Sequence, residues 1–257
     1  MTAAATILGI PVDDVTLAEV VERISVWVEQ EPQRLHQIVT TNPEFLVEAR
    51  RNARFREVLK AADLATADGV GVLIAARILG RPLRARVTGV ELVEALARTN
   101  DPALKFFLLG AGPGIAERAA AALKQHAPHV VISGVWGGSP RPEDAPEILR
   151  RLSEAQASVL FVAYGAPRQD IWIAEQRESL AKCGIVVALG VGGAFDYLAG
   201  AVPRAPRFIR RIGLEWLYRL ILQPWRWRRQ LALPFFVLLV LRQRLRLNHI
   251  DHQERAW

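Results

Sequence analysis

The sequence predicts an α/β fold: a Rossmann-like, mostly parallel sheet with helices on both faces, plus a basic helical C-terminal appendage. Three observations predict it. Apolar β-type runs alternate with helical patterns over the first 200 residues, the rhythm of a parallel sheet covered on both sides. The runs KFFLLG (105–110) and VLFVAYG (159–165) are short and continuously apolar, as central strands buried on both faces must be. After Gly200 the strand–turn rhythm stops and arginines crowd in. The 257 residues suit one α/β domain with an extension, or two small domains. The division falls near residue 200, giving a core over 1–200 and a basic amphipathic helical appendage over 201–257.

In chain order, strands are expected at 6–10, 36–40, 64–67, 105–109, 130–134, 159–164 and 184–189. Helical spacing marks 17–28, 45–60, 70–79, 90–98, 115–126 and 169–180 between them. In the tail, Ile212, Trp216, Leu217, Leu220 and Ile221 fall on one helical face. Arg204, Arg207 and Arg211 would share another if that stretch is helical. Pro224 and Pro234 are expected to divide the tail into two or three helices.

Composition narrows the class. Hydrophobic residues make up 51%, enough for a packed core and too many for a disordered chain. The lone Cys183 forbids an intrachain disulfide and fits a reducing compartment. The N-terminal stretch has no Lys or Arg before two acids and does not read as a signal peptide. The longest apolar run, 231–241, includes Pro234 and is about half the ~20 residues a spanning helix needs, so it reads as buried or interfacial. The net charge is +7, but eleven arginines and one acid, Glu215, lie between 204 and 246. The tail therefore calls for an anionic partner: phospholipid, pyrophosphate or nucleic acid.

Six constellations follow predicted strands, where an open α/β sheet places its ligands. Thr40-Thr41-Asn42-Pro43 offers hydroxyl and amide groups for a sugar or phosphate; the plainer reading is a helix cap, and locally the cap is favoured. Asp68, in Ala67-Asp68-Gly69-Val70-Gly71, can cap a helix or act as a general base facing the crevice; capping is again the simpler reading. Arg84 and Arg86, before Thr88-Gly89, supply bidentate donors for phosphate, or form a solvated basic loop. Gly110, Gly112 and Gly114 form a nucleotide-contacting turn, although the spacing is not G-x-G-x-x-G and no acid follows at the distance a dinucleotide fold requires. Gly165-Ala166-Pro167-Arg168-Gln169-Asp170 places Gln169 where it can bond sugar or diphosphate. Gly190-Val191-Gly192-Gly193-Ala194-Phe195-Asp196 closes the series. Glycine-rich turns at successive strand ends describe one ligand-binding crevice better than a structural protein.

No D-x-D, zinc-spaced His or Cys pair, P-loop or nucleophile elbow occurs in the sequence. No metal and no cofactor is therefore expected. His249 and His252 sit in a polar tail and read as solvated.

In order, TNPE, ADGVGV, RVTGVEL, FLLGAGPG, GAPRQDIWI, GVGGAFDYLAG and RAPRFIRRIGLEWLYRL resemble the WecG/TagA/CpsF glycosyltransferase family over about residues 6–230. The resemblance implies an inverting, metal-independent enzyme. It would move a sugar such as N-acetylmannosamine, its uronic acid or glucose from UDP onto a polyprenyl-diphosphate-linked saccharide, in cell-surface polysaccharide synthesis. It assigns the proposed base to Asp68 and substrate contacts to Thr40, Asn42, Arg86 and Gln169. It brings tail arginines, here Arg207 and Arg211, over the site when the appendage meets the membrane. Gly110, Gly112, Gly165, Gly192, Gly193 and Asp196 complete the expected binding set. Two departures stand out: Arg168 and Asp170 replace the family's usual Lys and Glu, and Val90 replaces a Ser.

The expected partners are thus a UDP-sugar, the lipid-linked acceptor and an anionic membrane surface, with the enzyme peripheral at the cytoplasmic face of the inner membrane. Trp225, Trp227 and the neighbouring arginines would lie among headgroups, with Phe235 and Phe236 deeper. Alternatively the apolar face packs on the core or joins copies into a homo-oligomer. Two further readings stand: a nucleotide-dependent oxidoreductase, suggested by Gly110–Gly114, and a basic nucleic-acid-binding module. Confinement of the charge to one amphipathic stretch argues against nucleic acid.

Overall fold

A computed structural model of the chain describes residues 4–211, 213–224 and 227–254; the side chains of Arg207, Arg211, Arg228, Arg229 and 248–254 lie outside that description. A two-strand antiparallel hairpin, β1 (Ala5–Ile7) and β2 (Ile10–Val12), precedes a six-stranded sheet. The sheet comprises β3 (His36–Thr41), β4 (Leu64–Ala67), β5 (Lys105–Gly110), β6 (Val131–Trp136), β7 (Val159–Ala163) and β8 (Val187–Gly190). All pairings are parallel, in the order β4-β3-β8-β7-β5-β6. The expected Rossmann-like α/β fold is the fold observed.

The helices within the first 200 residues are α1 (Leu17–Gln30), α2 (Pro43–Arg51), α3 (Ala53–Ala61), α4 (Val70–Ile78), α5 (Gly89–Arg98), α6 (Ile115–His126), α7 (Ala145–Ala155), α8 (Arg168–Glu175), α9 (Arg177–Lys182) and α10 (Ala194–Leu198). They cover both faces, and the strands alternate accordingly. Phe106, Leu108 and Phe161 pack with α1, α5 and α6, whereas Phe107, Leu109 and Leu160 pack with α7 to α9. That two-sided burial is why these strands read as unbroken apolar runs.

Several expected elements are corrected. The strand expected at 6–10 is a hairpin, because Leu8 (φ 51°) and Gly9 (φ 81°) both turn left-handed, as a tight two-residue connection requires. The helix expected over 45–60 breaks at Asn52, which ends α2 and caps α3 by accepting from Phe55 N at 3.0 Å. The helix at 169–180 divides at Gln176. Among the described residues the tail shows four helices rather than two or three: α11 (Arg207–Arg211), α12 (Glu215–Leu222), α13 (Trp227–Gln230) and α14 (Ala232–Glu254). Pro234 sits in the first turn of α14, where its missing N–H costs nothing, so it starts a helix instead of breaking one.

The apolar run at 231–241 divides between two fates. Phe236, Leu239 and Val240 are buried with α2, α4 and the hairpin. Gln243 fastens the same helix by accepting from Leu8 N at 2.8 Å and donating to Thr6 O at 2.9 Å. Phe236 therefore does not dip toward a membrane: it is a core residue. Its neighbours Phe235, Val237, Leu238 and Leu241 remain exposed. No helix among the described residues is long and apolar enough to cross a membrane.

Candidate active site

The carboxyl ends of all six parallel strands open into one cavity of about 820 Å³. That is the size and place expected for a small-molecule site in a sheet of this kind. Its floor is built from Thr40 and Asn42 after β3, Asp68 after β4, Ala111 and Gly112 after β5, Gly138 and Ser139 after β6, Gly165 and Gln169 after β7, and Gly192, Gly193 and Asp196 after β8. The tail supplies a wall with Arg204, Glu215, Trp216 and Arg219. Gly110 does not line it. That residue ends β5 against Tyr164, whose ring would stand 2.9 Å from any added Cβ. The Arg207 and Arg211 side chains lie outside the described residues.

Asp68 does not cap a helix. Gly69 occupies the N-cap position of α4, and no side chain bonds there. The Asp68 backbone N–H donates to Thr41 O at 2.7 Å, which fixes the turn and leaves the half-buried carboxylate facing the cavity. Among the described residues it has no hydrogen-bond or ion-pair partner. Burial pushes its pKa from 3.8 up to about 7; Arg86 works against the rise, and Glu215, Glu91 and Glu44 add to it. A carboxylate poised near neutrality, unpaired and facing a cavity is suited to accept a proton.

Asn42 does cap α2, accepting from Phe45 N at 2.9 Å, and it lines the cavity as well. Gln169 is buried, and its Oε1 accepts from both Gly165 N and Gly192 N, each at 3.1 Å. One side chain thereby ties the turns after β7 and β8 together. Arg84 leaves the site altogether and pairs with Asp14 and Glu19 at 2.9 Å.

Arg86 is already engaged. It reaches Glu91 at 2.9 Å and Glu215 at 3.5 Å. Arg204 joins Glu91, Glu94 and Glu215, and Arg210 stands 3.9 Å from Glu91. Among the described residues, three arginines and three glutamates thus balance across the seam between α5 and the tail. Two other cations line the cavity without a carboxylate among the described residues: Arg168, and Arg219, which lies over the Tyr197 ring at 4.8 Å. Glu91, Arg204, Glu215 and Arg219 were not selected as site residues from sequence. The spacing Thr88-x-x-Glu91 marks a capping box, and Glu91 N does donate to Thr88 Oγ1 at 3.2 Å. Nothing local marks Arg219.

Residues 5–250 match the family described as "Glycosyl transferase WecG/TagA/CpsF family". Among curated proteins, the chain is 36% identical over 206 residues to an N-acetylglucosaminyldiphosphoundecaprenol N-acetyl-beta-D-mannosaminyltransferase of Bacillus spizizenii, covering 80% of this chain and 78% of that one. A protein of the same name from Bacillus subtilis is 33% identical, with 80% and 79% covered. One from Staphylococcus aureus is 31% identical over 239 residues, with 92% and 91% covered. These matches give the oxidoreductase and nucleic-acid readings no support.

Proposed function

The chain belongs to the WecG/TagA/CpsF glycosyltransferase family, and from that premise we propose that it transfers an N-acetylmannosamine-type sugar from UDP to N-acetylglucosamine on undecaprenyl diphosphate, with inversion and without a metal or cofactor. The observation that carries the reading is the Asp68 carboxylate, without a partner among the described residues, facing a cavity that all six strand ends share.

In this mechanism Asp68 takes the proton of the acceptor hydroxyl as its oxygen bonds to the donor's anomeric carbon. The bond from that carbon to the diphosphate oxygen breaks, and UDP leaves with the electron pair. Attack from the face opposite the leaving group inverts the centre. Arg168 and Arg219 offset charge on the departing diphosphate, with Arg86 contributing as far as its glutamates release it. Thr40 and Asn42 contact sugar and phosphate. Gln169 acts chiefly by holding two turns in register, which serves orientation.

The same reading docks the protein on the cytoplasmic face of the inner membrane. Its support is the exposure of Phe208, Leu217, Ile221, Trp227, Leu238 and Leu245 in a tail that carries eleven arginines between residues 204 and 246. The Trp225 part of this expectation lies outside the described residues.

The test of the reaction is a panel of UDP-sugars with a prenyl-diphosphate-linked N-acetylglucosamine acceptor, run with and without EDTA and read by mass spectrometry. Transfer of N-acetylmannosamine unaffected by EDTA is the expected result; transfer of no sugar from UDP sinks the reading. For the membrane, Ile221→Ser with Leu238→Ser removes two exposed side chains and spares the core. Binding to anionic vesicles in a flotation assay is expected to weaken at least tenfold, since each buried aliphatic side chain contributes about 1.5–3 kcal/mol. Undiminished flotation sinks the docking surface.

A further inference from the structure

Among the described residues, the charges that act on Asp68 are the Arg86 guanidinium, from the segment before α5, and three acids: Glu215 from the tail, Glu91 from α5 and Glu44 from α2. Arginine beside a carboxylate ordinarily pairs with it, and the paired carboxylate becomes a much weaker base. Here the Arg86 guanidinium is taken by Glu91 on one side and Glu215 on the other. Glu91 is fixed in the first turn of α5 by its capping exchange with Thr88. Glu215 arrives from far along the chain, and its approach is built into the fold. Two residues earlier, Gly213 (φ 77°) lies directly on Val70, in the first turn of the helix that follows Asp68. An added Cβ there would stand 2.4 Å from the Val70 side chain, so only glycine lets the tail come this close. From that contact Glu215 spans Arg86 at 3.5 Å with one oxygen and Arg204 at 3.9 Å with the other.

We infer that Glu215, the one acid among the eleven arginines between residues 204 and 246, is a positioning residue for the base: by bridging Arg86 and Arg204 it keeps the Arg86 guanidinium from pairing with Asp68. The inference rests on the reading of Asp68 as the base. Glu215 acts through Arg86, on the proton affinity of Asp68. Without it, Arg86 retains one partner, Glu91, and its second edge is released toward Asp68. The base then ionises at lower pH and pulls the acceptor proton less strongly.

The experiment is the pH profile of kcat/KM for transfer from UDP-N-acetylmannosamine to the prenyl-diphosphate-linked acceptor, with melting curves to verify folding. The parental acid limb is expected near pH 7. Glu215→Gln is expected to move it to lower pH by about one pH unit and to lower the plateau severalfold. Glu215→Asp, which keeps the charge, restores the limb. Glu215→Ser, which trims the side chain, moves it as Gln does and replaces the Gln variant should that one fail to fold. Glu94→Gln removes a charge from the far side of Arg204 and leaves the limb in place. An unmoved acid limb in folded Glu215→Gln and Glu215→Ser overturns the inference while Asp68 stands. An Asp68→Asn enzyme at the parental rate overturns the reading beneath it instead.

Discussion

Two carboxylates in this chain are driven to the same acidity by the same cause and stand in opposite surroundings. Burial lifts both Asp68 and Asp170 to about 7. Asp68 ends a turn after β4 and opens into the cavity beside Arg86. Asp170 lies in the first turn of α8, wholly buried; among the described residues neither of its oxygens has a hydrogen-bond partner, and the nearby Gln169 amide and its own backbone N–H offset its burial only in part. A raised pKa therefore does not identify a catalytic acid or base. What separates the two is access: a proton on Asp68 can pass to or from a ligand, whereas a proton on Asp170 can only change the stability of the fold.

The sharpest break of this comparison is Asp68→Asn. If Asp68 is the base, turnover falls by about 10²–10⁴ while UDP binding, measured by calorimetry, stays close to parental. Parental turnover in this variant would put the two aspartates in one class, both merely buried. A smaller effect is expected where Asp170 and the site touch. A Cβ at Gly190 would stand 2.4 Å from Gln169 Nε2 and 2.7 Å from Asp170 Oδ1. Gly190→Ala must push that pair aside and loosen the bonds from Gly165 and Gly192. Displacement of this kind costs about 1–3 kcal/mol in stability and up to ~10²-fold in kcat/KM. A parental melting temperature together with parental kcat/KM would show that the Gln169 tie is dispensable.

The centre of the sheet was legible because the surroundings of β5 and β7 follow from their own residues: an apolar run of five or six with turn residues after it is buried wherever it pairs. The glycine-rich turns were legible for the same reason, and they do line one cavity. The sequence misled where a local pattern had two outcomes. Leu8-Gly9 sits inside an apolar run yet turns back on itself. Asp68 has the spacing of a cap, but Gly69 took that position. The Glu91–Arg204–Glu215 seam was illegible because it joins segments over 100 residues apart, and no local propensity encodes that contact. Phe236 belonged to a run that looked uniform, and only docking against α2 and α4 divided its buried face from its exposed one.

The finest distinction between the two aspartates is a slope with pH. The folded protein holds the Asp170 proton up to about pH 7, whereas the unfolded chain releases it near the ordinary value of 3.8. Between those values the folded state binds more protons than the unfolded one, so this group makes stability fall as pH rises, and the loss is complete above about 7. Asp170→Asn removes the titration and keeps the shape. Relative to the parent, the variant should gain on the order of 2–4 kcal/mol between pH 4 and pH 8 in denaturant titrations. Asp68 contributes its own slope equally to both proteins and cancels from the difference. The acid limb of kcat/KM should stay where it was, because Asp170 has no route to the acceptor. A stability difference independent of pH would show that Asp170 finds a partner for its charge; a moved acid limb would mean that the buried carboxylate communicates with the cavity, through Gln169.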